Sequence, residues 1–204
     1  DVYKRQGKSS LLKLLVGILP MQQGTLEVAG LAMQHENLAS IRRKVGYIFQ
    51  DSDSQLFMPT VAADVAFAAQ NYGYPTEEVT ARTHRALQQV HIEDCADRPV
   101  YRLSGGQKKL ASIAGILTLD PELILMDEPS AALDPKNRRN LIEILRGLPC
   151  AMLIASHDLD FIYDTCDRVV LLYEGRIAAD GPAEEILHDG ALLACLLYTS
   201  DAAD

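Results

Sequence analysis

The sequence is 204 residues long, 48% hydrophobic and 23% charged, with a formal net charge of −9. That length suits one domain with a sizeable core, and the acidic balance leaves no basic footprint for nucleic acid and no polybasic patch for a lipid surface. No apolar run approaches the roughly 20 residues of a membrane-spanning helix, and the interior cysteines Cys95, Cys150 and Cys166 are unpatterned, which argues against disulfide or zinc frameworks and fits a reducing cytosol.

Residues 1–6 can be encoded as GAT GTG TAT AAG AGA CAG. The reverse complement, read one base out of frame, encodes the Cys-Leu-Leu-Tyr-Thr-Ser run at 195–200. The two ends resemble one inverted DNA element flanking an insert, as translated library-adapter sequence would. Residues 1–6 and 195–204 are therefore expected to be non-native, and 7–194 to be a partial domain. Within it, residues 9–19 carry an apolar helical stripe that Pro20 should end, and 25–28 read as a short strand between Gly24 and Gly30. Residues 45–49 form a strand rich in β-formers that stops at Gln50. Helices are expected at Val61–Asn71 and at 77–91, the second capped by Thr76 with two acids in its first turn. Another helix begins near Gly105. Beyond it strands and helices alternate: strand 123–126, helix from Pro135, strand Ala151–Ala155, helix from Asp158, strand 169–173. Residues 168–179, turning at Glu174-Gly175, read as a closing hairpin. Apolar strands separated by helices imply an α/β fold with a parallel sheet covered on both faces. The helices at about 60–105 interrupt that alternation and are expected to form a subdomain.

Short motifs carry the chemistry. Gly7-Lys8-Ser9-Ser10 opens the first helix as the second half of a phosphate loop, G-x-x-x-x-G-K-[ST], with Val2 where the first glycine belongs. Backbone amides and the helix N-terminus would face phosphates there, Lys8 would reach the β and γ phosphates, and Ser9 would ligate Mg²⁺. Gln50 can accept from a metal-bound water and donate toward a γ-phosphate, although a polar residue after a strand is also ordinary. Ser104-Gly105-Gly106-Gln107 is a capping box by spacing. Its glycines cost up to about 1 kcal/mol each within a helix, and make sense where backbone must approach a ligand. Asp127 and Glu128 end an apolar strand at the edge where parallel sheets bind ligands. Asp127 would hold Mg²⁺ through water, and Glu128 would orient or deprotonate an attacking water. Asp134 precedes Pro135 as an N-cap would, and His157 stands at a strand end where an imidazole could donate to a phosphate.

In this order the motifs resemble the phosphate loop, Q-loop, signature, Walker B, D-loop and H-loop of the ATP-binding cassette (ABC) ATPases. In that family the signature closes over ATP held by another subunit. The resemblance therefore implies a homodimer or heterodimer with two composite sites for ATP and Mg²⁺. It places Glu128, His157 and Gln50 in catalytic roles, with Asp134 coupling the two sites. It also implies a P-loop NTPase-like core with a helical signature subdomain, its leading strands missing. Phe49-Gln50 with Asp53, Gln55-Leu56-Phe57 and Asp64-Val65-Ala66-Phe67 looks like the energy-coupling-factor and cobalt-type importer branch. That branch implies a peripheral place on the cytoplasmic face of the cell membrane, and metal ion or vitamin uptake without nucleic acid. Its partners would be a transmembrane scaffold protein and a substrate-capture membrane protein. Phe57 and the apolar face of residues 61–67 would dock the scaffold. A soluble ABC ATPase not linked to transport, or an inactive fragment, are the alternatives.

Overall fold

The computed structural model describes residues 7–190; the readings for residues 1–6, Val2 among them, and for 195–204 lie outside those residues. The described chain opens with α1 (Lys8–Leu15), a small hairpin of β1 (Glu27–Val28) and β2 (Leu31–Ala32), and α2 (Leu38–Lys44), which runs straight into β3 (Val45–Ile48). Three helices follow, α3 (Val61–Asn71), α4 (Thr76–Gln89) and α5 (Gly105–Leu117). Strand and helix then alternate through β4 (Leu123–Asp127), α6 (Pro135–Gly147), β5 (Ala151–Ala155) and α7 (Leu159–Thr165). A hairpin of β6 (Arg168–Tyr173) and β7 (Arg176–Pro182) and the short α8 (Ala183–His188) complete it.

β3, β4 and β5 form a parallel sheet in that order, with Ile48 opposite Met126 and Asp127 opposite Ala155. Successive residues of a strand point to opposite faces, and β4 distributes its apolar side chains accordingly. Ile124 and Met126 join a cluster with Ile113 of α5, Leu145 of α6 and Phe161 of α7, whereas Leu125 packs with Leu12 of α1 and Ile41 of α2 on the other side. This is the expected α/β core, a parallel sheet flanked by helices. Burial on both faces is why β4 reads as an unbroken apolar run. On the first face α3 and α4 pack against α5.

Some local expectations differ. Pro20 does not end the first helix. Gly17, at φ 66°, turns the chain so that the amides of Gly17 and Ile18 bond back to the carbonyls of Leu14 and Lys13. A side chain there would also strike Leu38, since a Cβ would lie 2.4 Å from its Cδ2. The short strand pairs within a hairpin whose turn residues, Ala29 and Gly30, both have positive φ, so the glycine is part of the turn. α2 has no counterpart in the sequence reading. It is seven residues long with one buried side chain, Ile41, too short to show a period. Its place is set from outside, where Arg42 donates to the carbonyls of Val16 and Gly17 at 3.0 and 3.1 Å. Thr76 is not a cap. Pro75, with its fixed φ, takes the N-cap position, so Thr76 is the first helical residue and its carbonyl accepts from Thr80.

Candidate functional site

The C-terminal edge of the sheet gathers the carboxylates. Asp127, 6% exposed, accepts a 2.9 Å hydrogen bond from the Ser9 hydroxyl, so residues 118 apart in sequence meet where α1 starts and β4 ends. Burial first, then the Asp127 carboxylate, push the neighbouring Tyr47 phenol up to about 12, so it stays protonated at neutral pH. Glu128 follows in the left-handed region at φ 47°, its amide bonded to the Ala155 carbonyl at 2.8 Å. That conformation turns the side chain toward the end of β5. There Glu128 Oε2 accepts from the Ser156 hydroxyl at 3.1 Å and from the His157 amide at 3.3 Å, and meets His157 Nδ1 at 2.8 Å. Glu128 is nearly enclosed while the His157 ring is largely open to solvent. A carboxylate so held can accept a proton from a water, and an exposed imidazole can donate to an anion in front of it.

Gly7 caps α1 in the left-handed region at φ 88° and offers no side chain to the first-turn amides. Those amides face outward at the positive end of the helix, the arrangement that receives phosphate. Lys8 is half-buried and Ser10 is exposed.

Gln50 leaves β3 at the same edge of the sheet, and its side chain is exposed. The backbone beneath it is held from both sides. Lys109 Nζ donates to the carbonyls of Phe49 and Gln50, both at 2.9 Å, while Gln55 Oε1 accepts from the Phe49 amide at 3.1 Å. Asp51 caps the turn that follows through the Asp53 amide and the Ser54 hydroxyl, and these bonds hold its carboxyl below the ordinary value. Asp64 Oδ2 accepts from the amides of Phe57 and Met58 at 2.8 and 2.7 Å, and Asp53 pairs with Lys108. Of the polar side chains in the stretch that suggested a sub-family, those of Asp53, Gln55 and Asp64 each have a bonded partner here.

Ser104, Gly105, Gly106 and Gln107 start α5 with a complete capping box: the Gln107 amide donates to Ser104 Oγ and the Ser104 amide to Gln107 Oε1. The two glycines differ. A Cβ on Gly106 would come within 2.7 Å of the Asn137 side chain, while one on Gly105 would meet nothing within 4 Å. Asp134 caps α6 through the amides of Lys136 and Asn137, and those bonds hold its exposed carboxyl below the ordinary range. No hydrogen bond among the described residues ties this second group to Ser9, Asp127 or Glu128.

A family model described as ABC transporter matches residues 6–131. The chain is 44% identical over 188 residues to the putative ABC transporter ATP-binding protein GSU1281 of Geobacter sulfurreducens, covering 92% of this chain and 76% of that protein. The chain belongs to the ABC transporter ATPase family. Members bind and hydrolyse ATP, and this ABC ATPase is an enzyme of that class. It is also 39% identical to the energy-coupling factor transporter ATP-binding protein EcfA2 of Methanospirillum hungatei, over 92% of this chain and 48% of that one. The solved structure of CbiO1 from Clostridium perfringens, described as part of the ABC transporter complex CbiONQ, superposes with a TM-score of 0.84. It is 32% identical, and the match covers 97% of this chain and 82% of that chain. The cassette MJ0796, at 24% identity and a TM-score of 0.75, shares the fold.

Within this ABC ATPase, the Ser9 hydroxyl and the buried Asp127 carboxylate are hard oxygen donors already in contact, which suits Mg²⁺ held by few protein ligands and completed by phosphates and water. Among the described residues no group of three or more His, Cys, Asp or Glu could hold a metal unaided. No described helix is long and apolar enough to cross a membrane. The sequence reading missed Ser156 and Lys109. The lysine had a visible signal, since it falls with Gly106 and Ile113 on the face of α5 that is buried, where a charge is anomalous.

Proposed function

We propose that this ABC ATPase is the motor subunit of an importer of the energy-coupling-factor type. The observation that carries the motor chemistry is the convergence of Ser9, Asp127, Glu128 and His157 at one sheet edge. ATP lies with its phosphates at the start of α1, where Lys8 reaches the β and γ groups and the amides of Gly7, Lys8, Ser9 and Ser10 face them. Ser9 and Gln50, with Asp127 through water, would hold Mg²⁺, which would supply positive charge against the charge developing on the transferred phosphate. Glu128 orients a water and accepts its proton, while Ser156 and the His157 amide fix the carboxylate and the imidazole faces the γ-phosphate.

Ser104, Gly105, Gly106 and Gln107 close over the nucleotide of a second ABC subunit, identical or related, and Asp134 holds the first turn of α6 beside them. The helices α3 and α4 with the start of α5 act as the helical subdomain. The protein sits on the cytoplasmic face of the membrane against a transmembrane scaffold, and a substrate-capture protein chooses the metal ion or vitamin. The likeness to EcfA2 and CbiO1 supports this branch. Glu128→Gln keeps the shape of the site and removes the base, so kcat for ATP should fall by about 10²–10⁴-fold with ATP binding retained. Turnover at the wild-type rate in that variant would remove Glu128 from the mechanism.

A further inference from the structure

Lys109 takes no part in the roles above, yet it is the only lysine or arginine among the described residues that is buried, at 3% exposed. An ammonium on the core side of a helix is costly, and a leucine or methionine would fill the same space more cheaply. What the charge holds is specific. Its two 2.9 Å bonds go to the carbonyls of Phe49 and Gln50, where the chain leaves β3 for the Q-loop. The other end of the side chain is rooted in the second turn of α5, three residues after Gly106 and four after Gly105. One residue earlier, Lys108 pairs with Asp53 further along the same loop. Gln55 secures the amide side of Phe49, so Lys109 is the group that secures the carbonyl side.

We propose that Lys109 is a positioning residue that fixes Gln50 to the signature helix, so that movement of the first turn of α5 is carried to the glutamine at the neighbouring ATP site. The proposal rests on the reading of Gln50 and the signature as nucleotide contacts. Without the ammonium the two carbonyls lose their donor, and the Gln50 side chain is no longer held at one height above the sheet. Lys109 acts through that geometry and touches no reacting atom.

The test is steady-state ATP hydrolysis by the wild-type protein and by Lys109→Met, Lys109→Arg, Gln50→Ala, the Lys109→Met/Gln50→Ala pair and Glu128→Gln, each with a melting curve. Lys109→Met should lower kcat by about tenfold, the scale of a small misplacement of a reacting group, with KM for ATP changed by less than about twofold. Lys109→Arg should restore most of the rate. In the Gln50→Ala background the lysine substitution should cost less than about twofold, because its effect runs through the group already removed. A full tenfold loss in that background would mean a general packing role and would overturn the proposal. So would a Lys109→Met enzyme as fast as wild type while Gln50→Ala and Glu128→Gln are impaired, a result that leaves the ATPase reading standing. A Gln50→Ala enzyme of undiminished rate would overturn the reading of Gln50 and this proposal together, whereas an undiminished Glu128→Gln enzyme would remove Glu128 alone from the mechanism. If the methionine variant does not fold, Lys109→Gln takes its place in the same cycle with the same expectations.

Discussion

Glu128 sits at φ 47°, a conformation that costs a non-glycine residue about 1–3 kcal/mol and persists only where neighbours over-determine it. The Ala155 carbonyl holds its amide, and Ser156 and His157 hold its carboxylate. The pair Asp127-Glu128 was legible as chemistry because two acids have no business at the end of a buried strand. The sequence reading put Asp127 with Ser9 at Mg²⁺ and Glu128 at the attacking water, but it did not put Glu128 against His157, a contact that depends on the backbone turn at Glu128. The signature glycines separate in the same way. Gly106 has a packing reason in Asn137, while Gly105 has none, so its missing side chain is left for a ligand to explain. Gly105→Ala should therefore leave unfolding free energy within about 0.5 kcal/mol of wild type. It should weaken ATP-dependent association of two subunits by about tenfold, roughly 1.4 kcal/mol, as read by sedimentation with and without ATP. Unchanged association would show that Gly105 faces no partner site.

At the scale of elements, Asp158 joins three of them. It caps α7 through the Phe161 amide at 2.9 Å, takes both arms of Arg138 from α6 at 3.1 Å, and accepts from Ser130 in the loop after β4. Burial alone would raise its pKa, but the Arg138 and Phe161 bonds outweigh that and hold the carboxyl below the ordinary 3.8. A carboxyl depressed in the folded state stabilises the fold above its unfolded pKa, and that stabilisation is lost as pH falls through the folded one. Asp158→Asn should cost about 1–3 kcal/mol at pH 7, and the gap to wild type in denaturant titrations should close as pH drops below 3.8. A gap constant across that window would deny the ion pair its role. The cap of α6 was readable because an acid directly before a helix is a local signal, whereas Asp158, read as the first residue of its helix, proves to be the N-cap of α7. α2 and the early end of α1 were not readable, because each depends on the other through Arg42 and Leu38.

For the whole molecule, the outer face beside β3 leaves large side chains uncovered. Phe57 is 63% exposed and packs edge-on against Phe67 at 4.7 Å, at the rim of a hollow of about 290 Å³ that also includes Leu56, Tyr72 and Arg42. An aromatic pair left in solvent next to the Q-loop suits a docked helix of a membrane scaffold. Phe57→Asp should reduce transport by at least about tenfold, since a charge in an apolar contact costs on the order of 2 kcal/mol or more. ATP hydrolysis by the isolated protein should stay within about twofold of wild type. Hydrolysis lost in equal measure would make Phe57 part of the ATP site rather than a docking residue.

The alternation of apolar strands with capped helices, and the order of the motifs along the chain, were set by the sequence alone. Period, turn residues and capping acids act over a few neighbours and survive without tertiary context. What only the folded molecule decided is how those motifs meet. Ser9 reaches Asp127 across 118 residues, His157 reaches Glu128 across 29, and Lys109 reaches Gln50 across 59. Each of these contacts depends on strand order and on the closing of a long loop, and a single strand or helix carries no record of either.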